Sequence, residues 1–465
     1  MEWKNLLSRH HFKKEEESDV IYRNDYDTII CSTLFRRLQD KAQVFPLDDD
    51  DYVRTRLTHS LEVSAIGKKL GEYVFKKLRK AKIDSWFDEH TEKSFSDVLL
   101  CAGLVHDIGN PPFGHFGEYA IREWFQKNLN HLSLGNRKIT DILTKWQLQD
   151  LYFFEGNAQS LRLLSKTPYL GSMNGFNLSY EVLGTIMKYP ISAEDLLSNN
   201  PNQFKKMGYN FSERQLFEDI NLSLGMKGKR HPLSWLLEAA DDIAYRTSDL
   251  EDAMVKKVIS FQQIIDVFRK YQEKLDKKDN AAEDVRICMS KLEDLYQEEA
   301  AKNGRKPELT AVQRWNQYVQ GVMIKDAGDA FVQNYDKIMQ GIYQEDLFEH
   351  TVSGHLIQAV SELSEKLIYT SSIKTRTELF GRRVIDSLLS QFMPAAIVYD
   401  TESPITFIER RTIDTVSEFY KSMYRHQAQG KDEQEKLYLR ILMITDYISG
   451  MTDNYAKRLY QELFV

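Results

Sequence analysis

The chain has 465 residues, of which 42% are hydrophobic and 28% charged, and its formal net charge is −7. That length allows one large domain or two ordinary ones, and the acidic balance argues against a globally basic nucleic-acid binder while leaving room for a local basic pocket. No run is apolar enough for a bilayer helix, the N-terminus lacks a signal-peptide core, and Cys31, Cys101 and Cys288 are too scattered for a disulfide or thiolate framework, which points to a cytoplasmic protein with no membrane partner.

With 22 Gly and 10 Pro in the whole chain, long regular segments are expected. Asp48-Asp49-Asp50-Asp51 reads as a solvated acidic turn rather than a metal site. After Thr58, Leu61, Ala65, Ile66, Leu70, Val74 and Leu78 recur at helical spacing and predict one apolar face. Residues 97–108 are apolar nearly all round and predict a buried helix, with Ser96 as N-cap and Gly109 as stop. Asn110-Pro111-Pro112 forces a non-helical link before a new helix near 117–125. A further helix is predicted over about 234–258, placing Asp241, Tyr245, Asp249 and Asp252 on one face. Residues 269–310 are heavily charged and read as exposed helices or an insertion between a catalytic core (1–260) and a helical C-terminal region (261–465). A β-hairpin is expected over 392–410, where Ala396-Ile397-Val398-Tyr399 and Pro404-Ile405-Thr406-Phe407 flank a polar turn. The fold class is therefore mainly α, with a minor hairpin in the C-terminal part.

His106 and Asp107 close the apolar run that begins at Val98. Two strongly polar side chains at the end of a buried helix are costly unless something pairs with them, and a metal ion is such a partner. The two lie about 100° apart around a helix, so both can lean toward one ion. With His59 at the start of its own helix and Asp241 on a third, the set offers two imidazoles and two carboxylates. Such ligands suit Mg, Mn or Fe without choosing among them, and leave positions for water and a phosphate oxygen. Arg56, one turn before His59, is the candidate clamp for a phosphate.

Five motifs extend this set: Phe35-Arg36-Arg37-Leu38-Gln39, Arg54-Thr55-Arg56-Leu57-Thr58-His59-Ser60, His106-Asp107-Ile108-Gly109-Asn110-Pro111-Pro112-Phe113-Gly114-His115, Phe154-Glu155-Gly156-Asn157-Ala158-Gln159 and Ala240-Asp241-Asp242-Ile243-Ala244-Tyr245. In this order the chain resembles the deoxyguanosinetriphosphate triphosphohydrolase (dGTPase) family of the HD-domain superfamily. The resemblance implies a helical HD core and metal-dependent hydrolysis of dGTP, and of other dNTPs in some members, to deoxynucleoside and inorganic triphosphate. It matches His59, His106, Asp107 and Asp241 to the metal ligands, and His115 and Glu118 to a catalytic histidine and its accompanying acid. Asn157, Lys188 and Tyr189 match phosphate-lining positions, and Lys206 is a weaker candidate of the same kind. Gln43 matches a glutamine facing the sugar 3′-hydroxyl. On the face of Asp241, Asp249 can accept from that hydroxyl, and the Tyr245 ring can pack under C2′ and leave no room for a 2′-hydroxyl. Glu378, Arg382 and Arg383 are candidate purine readers that no spacing singles out. The resemblance further implies a homo-oligomer such as a hexamer, and a local single-stranded-DNA site is compatible with the composition. Other readings of the same residues are an HD phosphohydrolase acting on a different nucleotide, and a nucleotide sensor or nucleic-acid-binding scaffold without turnover.

Overall fold

The computed structural model describes residues 1–8, 21–48, 50–169, 175–198, 204–275, 281–302 and 305–465. Helices dominate, as the periodicity predicts. The sole paired strands among the described residues are Ser133–Leu134 and Arg137–Lys138, a two-residue antiparallel ladder.

The expected hairpin at 392–410 is instead the end of one helix, Ser372–Val398, and the start of another, Phe407–Thr415. Phe392, Met393, Ala395, Ala396 and Ile397 are all buried. A short apolar run buried on every side carries no alternation, so period cannot separate strand from helix there. The polar turn between the two apolar runs does exist, with Asp400 at a left-handed φ of 56°.

Arg56–Ala81 begins with a reciprocal cap, Thr55 and Thr58 each satisfying the other's backbone N–H, and ends at Lys82 in the left-handed region. Its buried stripe is Val63, Ile66, Leu70, Val74 and Leu78, while the expected Leu61 is 46% exposed and Ala65 also faces outward. The helix is rolled toward Glu92–Val105, against which it packs. A Cβ on Gly103 would come within 2.6 Å of Ser64 Cα, so small residues rather than leucines fill this seam. Glu92–Val105 starts five residues earlier than predicted, after Thr91. Ser96 lies inside it and donates back to the Glu92 carbonyl at 3.1 Å instead of capping.

Helix Pro232–Val255 crosses both of these, and Pro307–Gln333 backs it. Within the charged stretch 269–310, helix Ala282–Ala301 has an inner stripe, from Val285 to Leu295, buried against Pro307–Gln333. Asp48 of the acidic run pairs with Lys256 at 2.9 Å, whereas Asp49 lies outside the described residues. One apolar core runs from Trp3 through Ile368. A second joins Gly114–Asn128 to Ser372–Val398 and Glu433–Ser449. The link 106–113 passes from one core to the other, with Ile108 in the first and Phe113 in the second.

Candidate active site

The link is held close to helix Gly156–Lys166. A Cβ on Gly109 would stand 2.1 Å from the Gly156 carbonyl oxygen, and the Gly109 N–H donates to Ser160 Oγ at 2.9 Å. Gly109 is thus required by close approach, not as a helix stop. Lys41, fully buried, ties the link down from the other side by donating to the carbonyls of Asn110 (2.5 Å) and Ser449 (2.8 Å).

At the end of Glu92–Val105, His106 Nδ1 donates to the Gly103 carbonyl at 2.8 Å. A carbonyl only accepts, so this bond keeps a proton on Nδ1 and leaves Nε2 as the nitrogen that takes either a proton or a metal. That Nε2 is buried without a hydrogen-bond partner. It lies 3.6 Å from Asp241 Oδ1, which in turn is 3.0 Å from His59 Nε2, and 3.5 Å from Asp107 Oδ1. Ligand atoms of His59, His106 and Asp241 all fall within 4.8 Å of one another. Asp107 stands at the edge of this group, because its Oδ2 meets Arg56 Nη1 at 2.5 Å and its Oδ1 accepts from Asn110 Nδ2 at 2.5 Å. Burial opposes ionisation of Asp107, yet the Arg56 guanidinium, with His106 and His59, holds its carboxyl down at about 2. Burial likewise opposes a charge on His106, but Asp107 and Asp241 push its imidazole up to about 9. Two carboxylates facing two imidazoles thus form a place that favours a cation, and His106 Nε2, buried with no hydrogen-bond partner among the described residues, fits a divalent metal in place of its proton.

Gly114–Asn128 starts early enough for His115 and Glu118 to share its first turn. His115 Nδ1 lies 3.4 Å from Glu118 Oε2, with the imidazole 72% exposed and the carboxylate buried. Burial works against the Glu118 charge, and His115, Lys206 and Arg122 hold it below the usual carboxylate range. The Gly156 N–H also donates to Glu118 Oε1 at 3.1 Å.

These groups face a cavity of about 430 Å³ where the two cores meet. Arg56, His106, Asp107, His115, Asp241, Gln43, Asn157, Lys188, Tyr189, Lys206 and Tyr245 line it; His59 and Glu118 stand behind the wall. Lys188 pairs with Glu238, which also accepts from Arg230 at 2.5 Å. Gln43 Oε1 is buried without a partner among the described residues. Asp249 does not reach the cavity surface, because the Tyr369 hydroxyl donates to its Oδ2 at 3.2 Å and also meets the Tyr245 hydroxyl. Of the three purine-reader candidates, Glu378 lines the cavity and sits 3.9 Å from Lys374 Nζ, whereas Arg382 turns away to Glu123 at 2.9 Å and Arg383 is not in the wall.

Several groups in the site escape sequence reasoning. Glu155 accepts from Asn157 (2.9 Å), Lys206 (3.0 Å) and Arg122 (2.7 Å), binding three candidate site elements together. Its place beside Gly156-Asn157, within Phe154-Glu155-Gly156-Asn157-Ala158-Gln159, is the signal the sequence carries. Tyr369 and Lys374 arrive from more than a hundred residues beyond Asp241 with no motif around them, and nothing in the chain announces them.

The HD domain family matches residues 56–159, and the phosphohydrolase-associated domain family matches residues 408–462. A deoxyguanosinetriphosphate triphosphohydrolase-like protein of Listeria innocua is 40% identical over 100% of this chain and 99% of its own length. The chain belongs to the deoxyguanosinetriphosphate triphosphohydrolase family. A like-named protein of Pseudomonas aeruginosa is 32% identical over 100% of this chain and 98% of its own, and the deoxyguanosinetriphosphate triphosphohydrolase of Klebsiella pneumoniae is 31% identical over 97% and 95%. As a member of this family the chain is a phosphohydrolase. The HD match contains His59, His106, Asp107, His115 and Glu118, while Asp241 comes from outside it, on the helix that crosses behind. No helix among the described residues is long and apolar enough to cross a membrane.

Proposed function

We propose that the chain hydrolyses dGTP, and other dNTPs to a lesser extent, to deoxynucleoside and inorganic triphosphate, using one divalent ion held by His59, His106, Asp107 and Asp241. The observation that carries this reading is the convergence of those four side chains on a cavity that also presents His115, backed by Glu118, and the cations Arg56, Lys188 and Lys206. When bound, the ion supplies positive charge to the α-phosphate and to a water.

The remaining roles fall to the protein. Arg56, Lys188 and Lys206 neutralise the triphosphate, with Asn157 and Tyr189 as neutral contacts. Glu118 orients His115, whose imidazole exchanges a proton with the attacking water or the leaving oxygen. Gln43 meets the 3′-hydroxyl, and the Tyr245 ring closes the space beside C2′, favouring deoxyribose. Asp249 would act on the sugar once Tyr369 yields its hydrogen bond.

Incubation of the protein with each dNTP and with GTP, in Mg or Mn, tests the proposal by product. Inorganic triphosphate should appear in equal amount to deoxynucleoside, fastest from dGTP. Pyrophosphate or single phosphates as the first product, or equal turnover of GTP, would overturn it.

A further inference from the structure

A second cavity, of about 310 Å³, shares no lining residue with the first. It opens where the C-terminal end of Gly156–Lys166 meets helices Arg214–Ser223, Glu418–Gln427 and Glu433–Ser449. Three cations face it from three different elements. Lys166 is half-buried and makes no hydrogen bond or ion pair among the described residues, and burial pushes its ammonium below the ordinary range. Arg214 and Lys431 share a single acid, Glu435, at 3.5 and 2.9 Å. Among the described residues the wall thus holds three cations and one acid. The buried Arg162, Glu213 and Asp446 beneath add one net negative charge, and burial pushes the nearby Asp150 toward its neutral form, so the region keeps a positive balance.

The floor adds a neutral donor. Arg162 Nη1 donates to Gln427 Oε1 at 3.3 Å, which fixes the amide and leaves Gln427 Nε2 buried with no acceptor. An unmet buried donor is costly, and a bound acceptor would offset that cost. Next to Arg214 the wall is apolar. The Phe211 ring carries the Arg214 guanidinium 4.0 Å above it and meets Tyr438 edge-on at 5.9 Å. The Tyr438 hydroxyl is tied to Asp150 at 2.5 Å, so that residue presents ring rather than hydroxyl.

We propose that this pocket binds a phosphate monoester bearing a small flat apolar group, its phosphate among Lys166, Arg214, Lys431 and Gln427 and its apolar part against Phe211 and Tyr438. Donors arriving from several sides suit a tetrahedral dianion better than a planar carboxylate, which a single arginine fork satisfies. The volume lies within the range of small-molecule sites. This inference is independent of the proposed reaction.

Calorimetric titration of the full chain without added metal, at fixed ionic strength, tests it with phenyl phosphate and inorganic phosphate as probes. Phenyl phosphate should bind saturably and about tenfold or more tighter than inorganic phosphate, since it adds buried apolar area. Lys166→Gln should weaken it by about tenfold or more, and Lys431→Gln by several-fold. Lys206→Gln, in the other cavity, should leave it unchanged. Lys431 is exposed, so its variant keeps the test decisive even if Lys166→Gln fails to fold. The proposal is overturned by unaltered affinity in the Lys431→Gln protein, by no gain of phenyl phosphate over inorganic phosphate, or by loss on Lys206→Gln instead. Absence of saturable binding up to about 10 mM would overturn it as well.

Discussion

Arg56 Nη1 lies 2.5 Å from Asp107 Oδ2, a buried ion pair at the mouth of the cation site. The arginine holds the aspartate ionised while keeping one of its oxygens away from the histidines. In the proposed holoenzyme, the two cations, metal and guanidinium, compete for the same carboxylate. Removing the arginine from the metal-free protein should leave a buried carboxylate without its main counter-charge, at a cost of about 3–5 kcal/mol. A divalent ion should offset much of that loss. Thermal melts of Arg56→Ala with and without Mn should therefore show a larger metal-induced rise in Tm than the parent protein shows. Equal rises in the two proteins would mean that Asp107 is not a ligand.

The His115 and Glu118 pair yields a second prediction. If Glu118 orients the imidazole, Glu118→Gln should lower kcat by about tenfold to a hundredfold and leave KM for dGTP nearly unchanged. His115→Ala should lower kcat further and still bind metal. Full activity in the His115→Ala protein, measured by triphosphate release, would remove histidine from the chemistry.

At the sugar end, Tyr245→Ala should spare metal binding and raise the ratio of GTP to dGTP turnover by about tenfold, the scale set by opening or closing space for one small group. A variant that rejects GTP as strongly as the parent would show that the Tyr245 ring is core packing alone.

Asp249 gives a pH signature. Burial pushes its carboxyl up to about 7, with Asp252 adding to the effect and the Tyr369 hydrogen bond opposing it. Because the folded value lies above the ordinary value near 3.8, the neutral form is favoured by folding. Its contribution to stability is complete below about pH 4 and is lost as pH rises through about 7. Asp249→Asn should therefore gain stability relative to the parent across that window, by a few kcal/mol at about 1.4 kcal/mol per unit. Denaturant midpoints for the two proteins at several pH values would show the curves diverging upward. Parallel curves would mean that Asp249 ionises freely in the fold.

Glu155 joins Asn157, Lys206 and Arg122. Glu155→Gln should loosen all three, raising KM for dGTP more than it lowers kcat, because in the proposed reaction Asn157 and Lys206 hold the phosphates in ground and transition states alike. An unchanged KM would confine Glu155 to a structural part.

The helices that carry the site were legible because the apolar period and the polar interruption coincide. An apolar run ending in His106-Asp107, followed by Asn110-Pro111-Pro112, can form little else than a buried helix and a tight link. The convergence of His59 and Asp241 on that link could not be read from spacing, since it depends on how three helices pack; the family resemblance supplied it. What stayed hidden was tertiary. Ser96 looks like a cap until the helix is seen to start at Glu92, and Leu61 looks buried until Gly103 and Ser64 pull the two backbones together. Residues 392–398 suggest a strand because a fully buried helix offers no polar face to betray its period. Tyr369, which screens Asp249 from the cavity, belongs to a part of the chain with no motif at all.

Equilibrium Mn binding, followed by electron paramagnetic resonance on the parent, His106→Ala and Asp241→Ala proteins, bears most directly on the shared cation site. The account predicts one tight ion per chain in the parent, and its loss in each variant with the fold intact by circular dichroism. An ion retained with the same affinity in both variants would show that these side chains do not hold it.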